Sequence, residues 1–220
     1  MYPGTLKERH HARPMKQLDT LKDLVDHLQK VAPEVIELAT ASTEEEFALN
    51  LDKLLERAAR HLEANSNSFY RLNEVGLSGV VAAFLNGMPG INAVQEGHSN
   101  GHVDLTITAN LTSPVQRRLA EAKIENGPAY HEKGLDQLLG RYSTGRDRYA
   151  WLLVYVKVAG IKYRLDEIRT FLNMKKPHKQ KGACRDHGHN LKWFFHSDHE
   201  HSSGEEITVT HVGFNLNPSA

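Results

Sequence analysis

Seven consecutive apolar residues, Ala150 to Val156 (Ala-Trp-Leu-Leu-Val-Tyr-Val), limit the fold more than any other stretch of the chain. A membrane helix needs about 18 to 20 apolar residues, and nothing in the sequence approaches that. The run therefore reads as a buried strand, spanning Tyr149–Val158 with its flanks. The N-terminal stretch Met1 to His11 also lacks the apolar core of a signal peptide, so the expected location is the cytoplasm.

The remaining periodicity surrounds this strand with both helices and strands. Residues 19–64 read as helical: Leu21, Leu24, Val25 and Leu28 share one face behind a cap at Asp19 or Thr20. Pro33 restarts a short helix through Leu38, and Ser42 with Glu45 has the spacing of a capping box before a third helix. Phe69–Leu85 reads as an apolar helix holding one acid, Glu74, and the Asn86–Gly90 stretch stops it. Three short strands follow, at Ile91–Gln95, His102–Ala109 and Arg117–Ile124. A helix at His131–Arg141 leads into the buried strand, and Leu165–Met174 reads as another helix. The basic, His- and Gly-rich stretch 175–189 reads as a loop, before late strands at Leu191–His196 and Glu206–Phe214. With 220 residues, 40% apolar and 25% charged, the chain has the composition of a globular domain rather than a disordered one. The expected class is α/β, with a mobile basic arm at 1–18, a helical region at 19–65 and an α/β domain at 66–220.

The chemistry is concentrated in one hairpin. Alternation puts Glu121 and Lys123 on one face of their strand and the small residues Ala120, Ala122 and Ile124 on the other. A turn centred at Thr112 and Ser113 pairs residues whose numbers sum to 225, which sets Asp104 across from Glu121. Carboxylates facing each other across a sheet repel. A hard divalent cation offsets that repulsion, and a neighbouring lysine can orient water and neutralise charge developing on a phosphate.

Asp104, the Glu121-Ala122-Lys123 triplet, Glu74 on the preceding helix and the order helix, three strands, helix, strand together resemble the PD-(D/E)xK phosphodiesterase superfamily, the restriction-endonuclease-like nucleases. The resemblance covers about residues 69–158; the family's leading proline is replaced by Val103. It implies a restriction-endonuclease-like core on a mixed central sheet, with a C-terminal β extension at 159–220. It implies Mg²⁺, with Mn²⁺ able to substitute, held by Asp104, Glu121, the Ala122 carbonyl and Glu74 as an auxiliary ligand. Lys123 would position the attacking water. The implied reaction is hydrolysis of a nucleic-acid phosphodiester, with DNA favoured over RNA, leaving a 5′-phosphate. Such domains serve in restriction, repair and anti-phage defence. Some subfamilies carry a glutamine and a tyrosine four residues apart on the following helix. Here Tyr142 is five from Gln137 and Arg141 takes the fourth place, so Gln137 and Arg141 are the expected substrate-facing pair.

A net charge of zero conceals segregation, since residues 34–63 carry eight acids and three bases whereas residues 141–192 carry thirteen bases and four acids. Arg146 and Arg148 in the basic half are further candidates for phosphate contact. Seven of the fourteen histidines lie between 178 and 211, and read as exposed polar residues. A zinc site among Cys184, His187 and His189, or His196, His199 and His201, is the alternative there, and a non-catalytic nucleic-acid-binding or interaction domain is the alternative for the whole. His98 and His102 flank the loop before Asp104. The small size and lack of a recognition module imply a homodimer or a partner subunit.

Overall fold

The computed structural model describes residues 20–95, 104–110 and 116–218. The basic arm at 1–18, the turn at Thr112 and Ser113, and His98 and His102 lie outside them. The chain is an α/β protein with seven helices and a seven-stranded mixed sheet among the described residues. No described helix is long and apolar enough to cross a membrane.

Three helices open the described chain: α1 (Leu21–Val31), α2 (Pro33–Thr40) and α3 (Glu44–Ala64). Thr20 caps α1 through its hydroxyl, which accepts from the Asp23 N–H. The apolar face expected of α1 is only partly covered: Leu21 and Leu24 are exposed, Val25 and Leu28 half-buried, and no α1 residue is fully buried. The third helix starts one residue later than Ser42 suggests. Thr43 is its cap, accepting from the Glu46 N–H, and Glu46 reaches back to the Ser42 N–H at 2.8 Å. The box is thus built from Thr43 and Glu46 rather than Ser42 and Glu45. The single apolar helix expected at 69–85 is divided: α4 (Ser66–Phe69) ends before Asn73, whose side chain caps α5 (Glu74–Asn86) by accepting from the Gly76 N–H. Glu74 therefore sits in the first turn of α5.

The strands are β1 (Ile91–Gln95), β2 (Leu105–Ala109), β3 (Gln116–Ile124), β4 (Tyr149–Val156), β5 (Gln180–Asp186), β6 (Phe194–Glu200) and β7 (Glu206–Asn215). Their order across the sheet is β1-β2-β3-β4-β7-β6-β5. The pairs β3–β4 and β4–β7 are parallel and the rest antiparallel. The continuous apolar run is the central strand β4, whose residues from Ala150 to Val156 are all buried. Helices cover both faces of the sheet, as a central parallel pair demands. Leu51, Leu54, Leu55, Ala58 and Leu62 of α3 pack with α5 and with Ala120, Ala122, Trp151, Leu153 and Tyr155. On the other face α6 (Pro128–Gln137) and α7 (Ile161–Lys175) cover Leu152, Val154 and Val209.

The stretch 175–189 is not a loop. Its middle forms the edge strand β5, which pairs with β6. Ion pairs brace that edge: Lys179 with Glu200, Lys181 with Glu206, and Arg185 with Asp198. Likewise Ser197, Asp198, His199 and Glu200 belong to β6 rather than to a hairpin turn.

Candidate active site

Every cross-strand pair between β2 and β3, from Leu105 opposite Ala120 to Ala109 opposite Gln116, sums to 225. Asp104 itself stands one residue before β2 rather than on it. The same register, continued by one residue, leaves Asp104 opposite Glu121.

Beyond that point β3 outruns β2, and its backbone on that edge needs other partners. Two carboxylates supply them. Asp104 Oδ2 accepts from the Ala122 N–H at 2.8 Å, and Glu74 Oε2 accepts from the Ile124 N–H at 2.9 Å. In a strand the N–H and C=O of one residue point the same way, so the Ala122 carbonyl also faces the Asp104 side. Glu121 and Lys123 project to the opposite face from Ala120 and Ala122, under α6. Their exposures are 2% and 6%, and Lys123 Nζ donates to Glu121 Oε1 at 2.6 Å. Glu74 Oε1 lies 3.7 Å from the same ammonium. A Cβ on Gly134 of α6 would stand 2.9 Å from Leu152 Cδ1 and 3.2 Å from Lys123 Cγ, so only glycine lets the helix sit this close over the lysine.

Four of the expected residues are thereby gathered: Glu74, Asp104, Glu121 and Lys123, with the Ala122 backbone between them. Three carboxylates and one ammonium leave a formal charge of −2 in a largely buried setting. The charge is felt most by Glu121: burial, then the Asp104 charge, push its carboxyl up to about 7 against the pull of Lys123. Burial alone would lower the Lys123 ammonium, but Glu121, Glu74 and Asp104 outweigh it and hold the proton more tightly than usual. Glu121 Oε2 is buried and has no hydrogen-bond partner among the described residues.

The helix after the motif adds Tyr142 to the expected Gln137–Arg141 pair. Leu138–Tyr142 is a π-turn, closed by the Ser143 N–H donating to the Leu138 carbonyl five residues back at 3.0 Å. A π-turn aligns residues five apart, which brings Tyr142 to the side of Gln137, and Arg141 is exposed. Burial and the Glu121 charge both raise the Tyr142 phenol, which places it beside the carboxylates. Arg148 does not join this cluster. Arg148 precedes Leu152, the partner of Glu121, by four residues, about 13 Å along β4. It lies 3.9 Å from Glu44 at the start of α3.

The histidine-rich tail is buried rather than exposed: His187, His196, His199, His201 and His211 are all inside. Cys184 packs on the α7 side with Ile168, Leu172 and Phe195, whereas His187 faces Asp52 on the α3 side, so the expected zinc triplet does not assemble. A different trio does come together: ligand atoms of Asp52, His187 and His196 lie within 4.8 Å of one another. Two of its members are already paired with each other. The His189 N–H donates to His187 Nδ1, which leaves His187 Nε2 to carry the proton and donate to Asp52 Oδ2 at 3.0 Å. Asp52 also accepts from Trp151 Nε1 and Thr210 Oγ1. The buried Arg118 cation balances its charge. The trio could still hold a metal ion, since both ring nitrogens of His196 are buried without a partner among the described residues. His131, His211, Ser197 and His199 form a second hydrogen-bonded chain under α6, ending on the Pro177 carbonyl. Burial lowers its three histidines far below their usual range, so it is neutral.

Comparison with protein-family models, curated proteins and solved structures finds no match to this chain.

Proposed function

We propose that the chain is a divalent-metal-dependent nuclease of restriction-endonuclease-like architecture, hydrolysing phosphodiester bonds of nucleic acid, with DNA the favoured substrate. One observation carries the reading: a buried −2 cluster in which Glu121 Oε2 has no partner among the described residues and the Glu121 carboxyl holds its proton up to about 7. Such a group fits a hard cation, which would use the open oxygens and remove the excess charge. Glu121, Asp104 and the Ala122 carbonyl would hold Mg²⁺, with Glu74 behind them. Bound there, Mg²⁺ would supply Lewis acidity and acidify a coordinated water.

The chain's own residues divide the remaining work. Lys123 presents one ammonium between Glu121 and Glu74, where it orients water and offsets charge on the phosphate. Glu74 and Asp104, anchored on successive outward-facing N–H groups of β3, keep the carboxylates at fixed spacing. Gly134 seats α6 over the lysine and excludes solvent from one side. Gln137 and Tyr142 offer an amide and a phenol at the rim.

Plasmid, linear DNA and RNA, each incubated with Mg²⁺, Mn²⁺ or EDTA, test the reading. Cleavage that needs metal and disappears in Glu121→Gln and Asp104→Asn supports it. Absence of metal-dependent cleavage from all three substrates, or full activity in either variant, overturns it.

A further inference from the structure

Outside the carboxylate cluster, the same end of the sheet carries an exposed aromatic ring beside a cation. Tyr70, which closes α4, is 42% exposed. The Lys157 ammonium lies 5.8 Å from its ring centroid and donates to the Leu72 carbonyl. Val158, next in the chain, is 46% exposed. Arg71 is exposed and pairs with no described residue.

Chain connectivity fixes where this patch sits. Asn73 follows Leu72, caps α5 and delivers Glu74 to the Ile124 N–H. Ile124 is paired with Tyr155, two residues before Lys157. The patch and the carboxylates thus share the carboxyl ends of β3 and β4, where open α/β sheets place their ligands. The composition is also telling. An exposed ring with a cation beside it is what a nucleobase and its phosphate require. Stacking on such a ring does not depend on which base is present.

We propose that Tyr70, with Lys157 beside its ring, is a stacking platform for an unpaired nucleobase close to the scissile phosphate. The preferred substrate is then single-stranded or frayed nucleic acid. This rests on the nuclease reading only for the word scissile, because the platform binds a base whether or not cleavage follows. Lys157 has a second task, holding the Leu72 carbonyl and so the approach to Glu74. Tyr70 is the cleaner position to alter.

The experiment uses the full chain in EDTA. Fluorescence anisotropy measures binding of a labelled single-stranded oligonucleotide and of a blunt duplex by wild type, Tyr70→Phe and Tyr70→Ala. Cleavage with Mg²⁺ is assayed in parallel. Tyr70→Ala is expected to weaken single-strand binding roughly 5- to 150-fold, while Tyr70→Phe stays within about twofold. Duplex binding is expected to change little. Equal single-strand affinity in wild type and Tyr70→Ala overturns the platform, as does failure of the wild type to bind single strands. In either case the nuclease reading is judged separately by cleavage. Loss of single-strand affinity in Tyr70→Ala with no cleavage by wild type leaves the platform standing and removes the nuclease reading.

Discussion

Replacing Glu121 by Gln is expected to stabilise the metal-free protein at alkaline pH. The Glu121 carboxyl is 2% exposed and is pushed up to about 7, from an ordinary 4.5, by burial and by the Asp104 charge. A difference of that size corresponds to about 3 kcal/mol. Its sign follows from linkage. Below about pH 4.5 the group is protonated in both folded and unfolded chains and imposes no penalty. Between 4.5 and 7 the unfolded chain loses the proton while the folded one keeps it, so stability falls as pH rises. Above 7 the whole penalty applies. The attraction of Lys123 does not rescue the ion, because that attraction is already contained in the raised value. Glutamine keeps an oxygen for the Lys123 ammonium and carries no charge. At pH 8.5, without metal, Tm of Glu121→Gln should exceed that of wild type by up to about 6 to 12 °C for a chain of this size. The gap should close toward pH 4.5. Calorimetric scans across that range check it. A variant that melts at or below wild type at pH 8.5, or a gap that does not vary with pH, refutes the reasoning.

Further outcomes follow from the same cluster. Mg²⁺ must displace the Glu121 proton, so its affinity should fall about tenfold per unit as pH drops below 7; a titration showing constant affinity from pH 8 to 5 removes Glu121 as a ligand. Lys123→Ala deletes the only cation paired with Glu121 and Glu74 among the described residues, and should destabilise the metal-free fold by about 3 to 5 kcal/mol, with added Mg²⁺ recovering much of the loss. The same variant should lose far more turnover than nucleic-acid affinity; equal losses make Lys123 a plain phosphate contact. Arg146→Glu with Arg148→Glu should leave the salt dependence of binding unchanged, since Arg148 faces Glu44 far from the carboxylates, whereas Arg71→Glu should reduce the slope by about 0.7 to 0.9. A reduced slope in the first pair would place the nucleic acid on the wrong end of the sheet.

What the sequence discloses about this site depends on how local each determinant is. Strand alternation and hairpin pairing are short-range, so the facing of Asp104 and Glu121 and the sharing of a face by Glu121 and Lys123 are readable from spacing alone. The run Ala150 to Val156 announces its own burial. Other features are set by distant contacts. The stretch 180–186 has the composition of a loop, and becomes a strand because Glu200, Glu206 and Asp198 on its neighbours accept its cations. The α1 face has the right periodicity for a core and stays only partly covered, since amphipathicity states that a face wants covering but not that anything covers it. The π-turn is the costliest omission. Nothing in Leu138 to Tyr142 signals a wider turn, and the usual four-residue rule selects Arg141 and passes over Tyr142. Lys157 and Tyr70 are 87 residues apart in sequence and are joined only through the fold.

The two faces of the sheet also show what separates a structural buried charge from a functional one. Atoms unpartnered among the described residues do not make the distinction: Arg118 and His196 have them on the α3 side, and Glu121 has one under α6. Charge balance does. On the α3 side Asp52 is held ionised: burial opposes it, but the His187 hydrogen bond, the Arg118 charge and the Trp151 hydrogen bond together prevail. One anion meets one cation, and burial keeps the neighbouring His196 ring neutral. The histidine chain under α6 carries no charge at all, since burial keeps its rings neutral. Neither network carries an excess of negative charge. At the β2–β3 end three carboxylates meet one ammonium, and the most buried of them raises its own proton affinity in response. An isolated chain gains nothing from that arrangement, because replacing one acid by its amide would relieve it. A ligand carrying two positive charges would complete the balance that the protein leaves open, and the proposed metal-binding role rests on that imbalance rather than on the residues being acidic.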